Sequence, residues 1–385
     1  MRIGRSTIFM AVAAGCLVPG SLSQAQPAPP VDPAIPVAMM LDLQSGKVLY
    51  AREPRRRFVP ASVTKVMTAF VLFEMISDGQ LALDRRIQVS REVAELWSGN
   101  GSSMFLKAGD TVSAEDLIMG LTTVSANDAA MVLGIAIDGS MEQWLERMNA
   151  TARGLGMNDS HFGSPNGFPD GGQTFSTAAD LALLAEVMIE RHPQLYARFF
   201  GRHGMSYGGI AQANHDPISG VVPGADGIKT GFTREAGYNF LGSASRNGRR
   251  LVMVVAGADS GQLRNETSRQ FIEWGFGSFT NTLLFSSGTP LGEARVQDGS
   301  ERRVMLRAGQ DIYVARPAGS EAPVTLELRY SGPLQAPVAE GAEVARLRIS
   351  VEGQQPYEVP LEAAEEVEQA NLLERVANGI VGLLS

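Results

Sequence analysis

The chain has 385 residues, 44% of them hydrophobic and 19% charged, which is enough for two domains with a substantial core. Its net charge of −8 gives no support for nucleic-acid binding, and its four histidines, among them His161, His203 and His215 on loop or surface stretches, show no metal-ligand spacing. The single cysteine is Cys16, so a chain cleaved after it has no internal disulfide.

In chain order, Arg2 and Arg5 form a basic end and Ile8 to Val18 an apolar run. Ser23-Gln24-Ala25 suits cleavage before Gln26, so residues 1–25 read as a secretory signal and the mature protein as periplasmic. Cys16 follows Ala13-Ala14-Gly15, a weak match to a lipoprotein site because alanine replaces leucine at −3. Residues 26–36 are a Pro/Ala-rich lead-in. Val37 to Asp42 and Lys47 to Tyr50 predict a hairpin turned at Gln44-Ser45-Gly46. Arg52, Arg55, Arg56 and Arg57 read most simply as a solvated face, with attraction to an anionic wall polymer as the alternative.

Val63 to Met75 is apolar on nearly every side and predicts a buried helix with Ser62 at its N-terminus. Positions i and i+3 share a helix face, so Lys65 lies beside the Ser62 hydroxyl. A lysine can take a serine proton if burial and a nearby cation, for which Lys229 is the candidate, lower its pKa. The bland alternative is an N-cap serine followed by a snorkelling lysine. Ser113 and Asp116 then form a near capping box for a helix through Leu117, Ile118 and Leu121. Ser125 and Asn127 project from a short connection before the apolar stretch Ala129 to Ile137. There a hydroxyl can relay protons to a leaving group, and an amide can bind Lys65 and the substrate backbone. Asp128 reads as a cap.

Gly227 to Thr233, Tyr238 to Ser245 and Arg249 to Ala256 read as strands, the last two joined by the hairpin signal Asn247-Gly248. An edge strand carrying Lys229-Thr230-Gly231 can pair with an extended peptide, Gly231 allowing close approach. The N–H groups of Phe232 and Ser62 are candidates for an oxyanion hole. Otherwise Lys229 and Thr230 are exposed strand residues. A helix from Gly261 to Trp274, capped by Gly275, completes an α+β domain over residues 37–280. From about Thr282 the pattern alternates over short segments, such as Arg303 to Leu306 and Val344 to Val351, predicting a small β-sandwich over 283–360. Residues 361–385 read as an amphipathic helix with Leu372, Leu373, Val376, Ile380, Val381 and Leu384 on one stripe. It is too short and polar to span a bilayer, and either touches a membrane surface or packs on protein.

Three short motifs, Ser62-Val63-Thr64-Lys65, Ser125-Ala126-Asn127 and Lys229-Thr230-Gly231, stand in this order within Pro-Ala-Ser-Val-Thr-Lys-Val-Met-Thr, Ser-Ala-Asn-Asp and Asp-Gly-Ile-Lys-Thr-Gly-Phe-Thr. Together they resemble the low-molecular-mass penicillin-binding proteins, serine-type D-Ala-D-Ala carboxypeptidases. The resemblance implies a β-lactamase/transpeptidase-like catalytic domain acting on peptidoglycan stem peptides without metal or organic cofactor. It implies inhibition by β-lactams and a tail on the outer face of the cytoplasmic membrane. It also gives Arg264, in Arg264-Asn265-Glu266, the role of binding the substrate's terminal carboxylate. Two departures stand out. Phe232 follows the third motif where many relatives carry histidine. The loop Ser164 to Thr177 lacks the glutamate that deacylates class A β-lactamases. A D,D-endopeptidase, a β-lactamase and a non-catalytic wall-binding protein are the alternatives on this scaffold.

Overall fold

The structure, a computed structural model, describes residues 6–10 and 28–371. It divides into two compact units. One comprises Ala28–Leu43 and Val48–Phe276; the other comprises Gln44–Lys47 and the chain from Gly277 onward, and takes in Ser6–Met10.

The first unit is built on a five-stranded sheet ordered Lys47–Arg52, Val37–Asp42, Arg249–Ala258, Gly237–Arg246, Ala225–Thr233. Successive strand residues face opposite sides. Val37, Met39 and Leu41 join Val252, Val254 and Ala256 in the main apolar core. Met40 and Leu251 on the other face are also fully buried, against Gly275. Cover on both faces is why these strands read as unbroken apolar runs. The Asn247-Gly248 turn has positive φ at both residues, 52° and 79°, as a two-residue hairpin requires.

Among the described residues the helices are α1 (Lys65–Ser77), α2 (Arg91–Trp97), α3 (Ala114–Thr123), α4 (Asn127–Asp138), α5 (Met141–Leu155), α6 (Ala178–Arg191), α7 (Pro193–Phe199) and α8 (Gly261–Ser278). α1 buries Val66, Phe70, Leu72 and Phe73 completely, as its lack of a polar face predicts. Ser113 caps α3 by accepting from the Asp116 N–H. α8 does not stop at Trp274 but runs to Ser278. Gly275 is no cap: a Cβ there would overlap Met40 Sδ, so the glycine lets the helix close on the sheet. The arginine cluster is only partly a solvated face. Arg52 donates to the carbonyls of Val31, Asp32 and Ile35, fastening the lead-in, and Arg57 pairs with Asp159 at 2.9 Å.

The second unit holds a seven-stranded sheet ordered Ser6–Met10, Val324–Tyr330, Glu343–Val351, Tyr357–Ala363, Arg303–Arg307, Pro290–Gln297, Leu334–Gln335. Facing it is the antiparallel pair Phe279–Phe285 and Ile312–Pro317. Ile312 and Val314 share one core with Leu306, Leu347 and Leu361, which makes a small β-sandwich. The tail helix expected from Leu361 does not begin there. Leu361 to Ala363 finish a strand, and Val367 still bridges to Val338. The apolar stripe beyond Leu372 lies outside the described residues. So does the predicted signal, apart from Ser6–Met10, which pairs with Val324–Tyr330. No helix among the described residues is long and apolar enough to cross a membrane.

Candidate active site

The three motifs meet at one cleft of about 800 Å³ in the first unit, lined among others by Ser62, Ser125, Asn127, Thr230, Gly231, Phe232 and Arg264. Lys65 and Lys229 stand behind this lining, 1% and 4% exposed. Ser62 sits in a 3-10 turn, Ala61–Thr64, that feeds into α1 at Lys65. Side chains at i and i+3 eclipse in such a turn, and Lys65 Nζ lies 2.9 Å from Ser62 Oγ. The same nitrogen is 2.8 Å from Asn127 Oδ1 and 2.7 Å from the Asn166 carbonyl oxygen. Burial, then the Lys229 charge, hold Lys65 well below the usual lysine range, with Asp128 partly opposing.

Asn127 opens α4, and its Nδ2 donates to the Asn100 carbonyl at 3.0 Å. Ser125 is held at φ 63° just before it. Asp128 is fully buried and accepts from Ser103 Oγ, Met104 N and Leu106 N, so it organises residues 103–106 rather than facing the cleft. The loop 164–177 is sealed on the nucleophile's element. Thr68 Oγ1 donates to the Pro165 carbonyl at 2.6 Å. Gly167, at φ 70°, lies so close to the Ala61 carbonyl that a Cβ would overlap it. The loop's one carboxylate, Asp170, accepts from Thr174 N and Oγ1.

Lys229, Thr230 and Gly231 lie on Ala225–Thr233, an edge strand as the sequence predicts. The close approach at Gly231 is to the nucleophile's own backbone: a Cβ would overlap the Pro60 carbonyl and stand 3.2 Å from Ser62 N. Asn239 Nδ2 adds a second tie, to the Val59 carbonyl at 3.0 Å. Phe232 is half exposed and stacks on Tyr238 with centroids 4.2 Å apart. Lys229 is lowered to about 7, first by burial and then by Arg264, with Asp216 opposing. Arg264, in the second turn of α8, donates to the Asn239 carbonyl and to Asn265 Oδ1; burial lowers it to about 10.

Two residues of the site escape sequence reasoning. Asn166 contributes a backbone carbonyl, which any residue type supplies. His215 lies on an exposed loop, as the sequence suggests, but that loop lines the cleft, and partial desolvation, Lys229 and Arg264 lower its pKa. The loop that carries it has no motif of its own.

Residues 24–260 match the family model described as D-alanyl-D-alanine carboxypeptidase, and residues 279–369 that of the C-terminal domain of penicillin-binding protein 5. The chain is 31% identical over 348 residues to D-alanyl-D-alanine carboxypeptidase DacD of Escherichia coli, covering 88% of each. It is 33% identical over 346 residues to DacC of the same organism, covering 88% of this chain and 85% of that one. Among solved structures, penicillin-binding protein 5 from Haemophilus influenzae superposes with a TM-score of 0.75 at 28% identity, over 91% of this chain and 100% of the other. Penicillin-binding protein D2 from Listeria monocytogenes, in its cefotaxime-bound form, gives 0.58 at 32% identity, over 63% of this chain and 97% of the other.

Proposed function

The chain belongs to the D-alanyl-D-alanine carboxypeptidase family and is a serine D,D-carboxypeptidase that binds penicillins; we propose that Ser62, Lys65 and Ser125 carry the reaction. One observation supports this most. The acceptors around Lys65 Nζ include two carbonyl oxygens, of Asn127 and Asn166, which can only accept. In a neutral amine they take both hydrogens, leaving the lone pair for the Ser62 hydroxyl at 2.9 Å. Ser62 then donates its proton to Lys65 and attacks the carbonyl between the last two D-alanines of a stem peptide. The Ser62 and Phe232 N–H groups take the oxyanion, with Gly231 keeping the two elements in contact. Ser125 passes the proton to the departing D-alanine amine, and water resolves the ester. Asn127 binds the peptide backbone, while Lys229, Thr230 and Arg264 hold the terminal carboxylate.

The test is a fluorescent penicillin with a Ser62→Ala control, followed by mass analysis of a muropeptide digest. Labelling confined to Ser62 and loss of one alanine are expected. An adduct on Ser125, or one retained in the variant, refutes the assignment. The penicilloyl ester is expected to persist, because the loop 164–177 has no glutamate and Asp170 is bound to Thr174. Rapid release over many turnovers would favour a β-lactamase. The basic and apolar leader supports export to the periplasm. The stripe beyond Leu372 supports peripheral contact with the outer face of the cytoplasmic membrane. Truncation after Asn371 should free the exported protein from membranes; continued sedimentation with them would remove that role.

A further inference from the structure

The cleft carries more positive charge than one substrate carboxylate uses. Its charged lining is Arg234, Arg264, Arg269 and one carboxylate, Asp216, with His215 beside them. Asp216 is occupied by its own loop, accepting from Ile218 N, Ser219 N and Ser219 Oγ. Arg269 donates to the Pro217 carbonyl, and Arg264 to Asn239 and Asn265. Arg234 is exposed at the cleft mouth and makes no hydrogen bond or ion pair with any described residue, its neighbour Glu235 included. Its backbone is nonetheless fixed. The Ala236 N–H donates to Thr233 Oγ1 at 3.0 Å, and the Phe232–Tyr238 stack clamps the base of the same turn.

The reaction geometry sets the direction of the substrate. With its terminal carboxylate at Lys229, Thr230 and Arg264, and its scissile carbonyl at Phe232 N, the peptide runs antiparallel to Ala225–Thr233. Its upstream residues therefore pass Phe232 and Thr233 toward Arg234. Thr233 is the last residue of the strand and Arg234 opens the turn that follows it, at the end of this path and within reach of the side chain that precedes the penultimate D-alanine. We infer that Arg234 is an anion subsite on the acyl side of the cleft, recognising a carboxylate on the side chain of the stem residue before the penultimate D-alanine. The inference rests on the carboxypeptidase reading and adds the class of stem peptide that the enzyme prefers.

Three peptides ending in D-Ala-D-Ala, identical except that this side chain ends in a carboxylate, a carboxamide or an ammonium group, test it. The ratio of kcat/KM values is the readout. For an exposed ion pair, the carboxylate peptide should lead the carboxamide by about three- to fivefold and the ammonium peptide by more. The lead should shrink in high salt. Arg234→Gln should bring the ratio close to one, Arg234→Lys should keep part of it, and Arg234→Glu should invert it. A wild-type enzyme indifferent to the three peptides, or a preference that survives Arg234→Gln, overturns the inference. Penicillin labelling of Ser62 separates the two levels. If Ser62 is labelled but no peptide is cut, the carboxypeptidase reading itself falls, and the subsite with it.

Discussion

In the first unit Lys65, Asp128, Lys229 and Arg264 are buried together with Ser125, Asn127, Asn166 and Asn239, whereas no buried residue of 279–371 carries a polar or charged side chain. The β-sandwich keeps its ion pairs outside, as in Arg303–Glu293 and Arg307–Glu340. Taking a charge out of water costs several kcal/mol unless hydrogen bonds and partners compensate. The first unit bears that cost around Ser62: Lys65, Asp128 and Arg264 are met by named acceptors or donors, whereas Thr64 Oγ1 and Asn166 Nδ2 find no hydrogen-bond partner among the described residues. The second unit bears far less of it: Lys47, 4% exposed, donates to the Ala315 carbonyl and stands over the Tyr357 ring, and the rest of the sandwich core is held by packing. Stability and chemistry therefore pull against each other in one unit and are independent in the other.

The sharpest way to break this contrast is Lys65→Met. It removes the base, so penicillin acylation should fall at least about 10³-fold. It also exchanges a buried amine for an apolar group of similar length, so the first unit should be as stable or more stable. Fluorescence-monitored urea unfolding reads that unit selectively, since Trp97, Trp144 and Trp274 all belong to it. A variant that unfolds early would show that Lys65 also supports the fold.

The next test uses pH. Lys229 is lowered from 10.5 to about 7 in the folded protein. Between those values the unfolded chain binds more protons, so stability should rise as pH goes from about 7 toward 10.5 and be lost as pH falls back. The change should amount to a few kcal/mol and flatten in Lys229→Met. Acylation carries its own signature. It should rise with pH as Lys65 loses its proton, then decline as Lys229 becomes neutral. A pH-independent urea midpoint in the wild type would contradict a buried, lowered Lys229.

In the sandwich, Leu347→Ala should cost about 2–5 kcal/mol by leaving a cavity, seen as a lower calorimetric transition for that unit. The rate at which penicillin labels Ser62 should not change. A matching fall in labelling would mean that the two units are energetically coupled. The smallest effect is expected from Ala61→Gly. Ala61 is held at φ 50° immediately before the nucleophile. Relieving that conformation should raise the urea midpoint by the equivalent of about 0.5–1 kcal/mol; a lower midpoint would show that the methyl group's packing matters more.

The same contrast explains what could be read from the sequence. In the sandwich, alternation located the strands around Arg303 and Val344 because burial there follows a period of two. It failed at the end. Val359, Leu361 and Ala363 alternate with Glu358, Pro360 and Glu362, but the acidic run that follows favours a helical reading. In the catalytic unit, Ser62 with Lys65, Ser125 with Asn127, and the edge strand at Lys229 were legible because each depends on a local spacing. Asn166, whose carbonyl belongs to the backbone, and His215, whose position depends on a loop closing over a distant strand, were not. Gly275 was misread for a related reason: a glycine that ends a helix and one that lets a helix touch a sheet look alike in sequence.

The seal between the loop 164–177 and the nucleophile's turn bears on how this enzyme can escape antibiotics. Hydrolytic resistance would require a new carboxylate to hold water above the Ser62 ester. Asn166 is 1% exposed and its carbonyl already serves Lys65, while Gly167 has no space for any side chain against Ala61. A glutamate at either place would lift the loop from α1 and strip the base of an acceptor. At these two positions a point mutation therefore meets a dead end. Selection under penicillins should instead favour changes that slow acylation at the cleft mouth, around Phe232 and Tyr238, where side chains face solvent and can vary without disturbing Lys65.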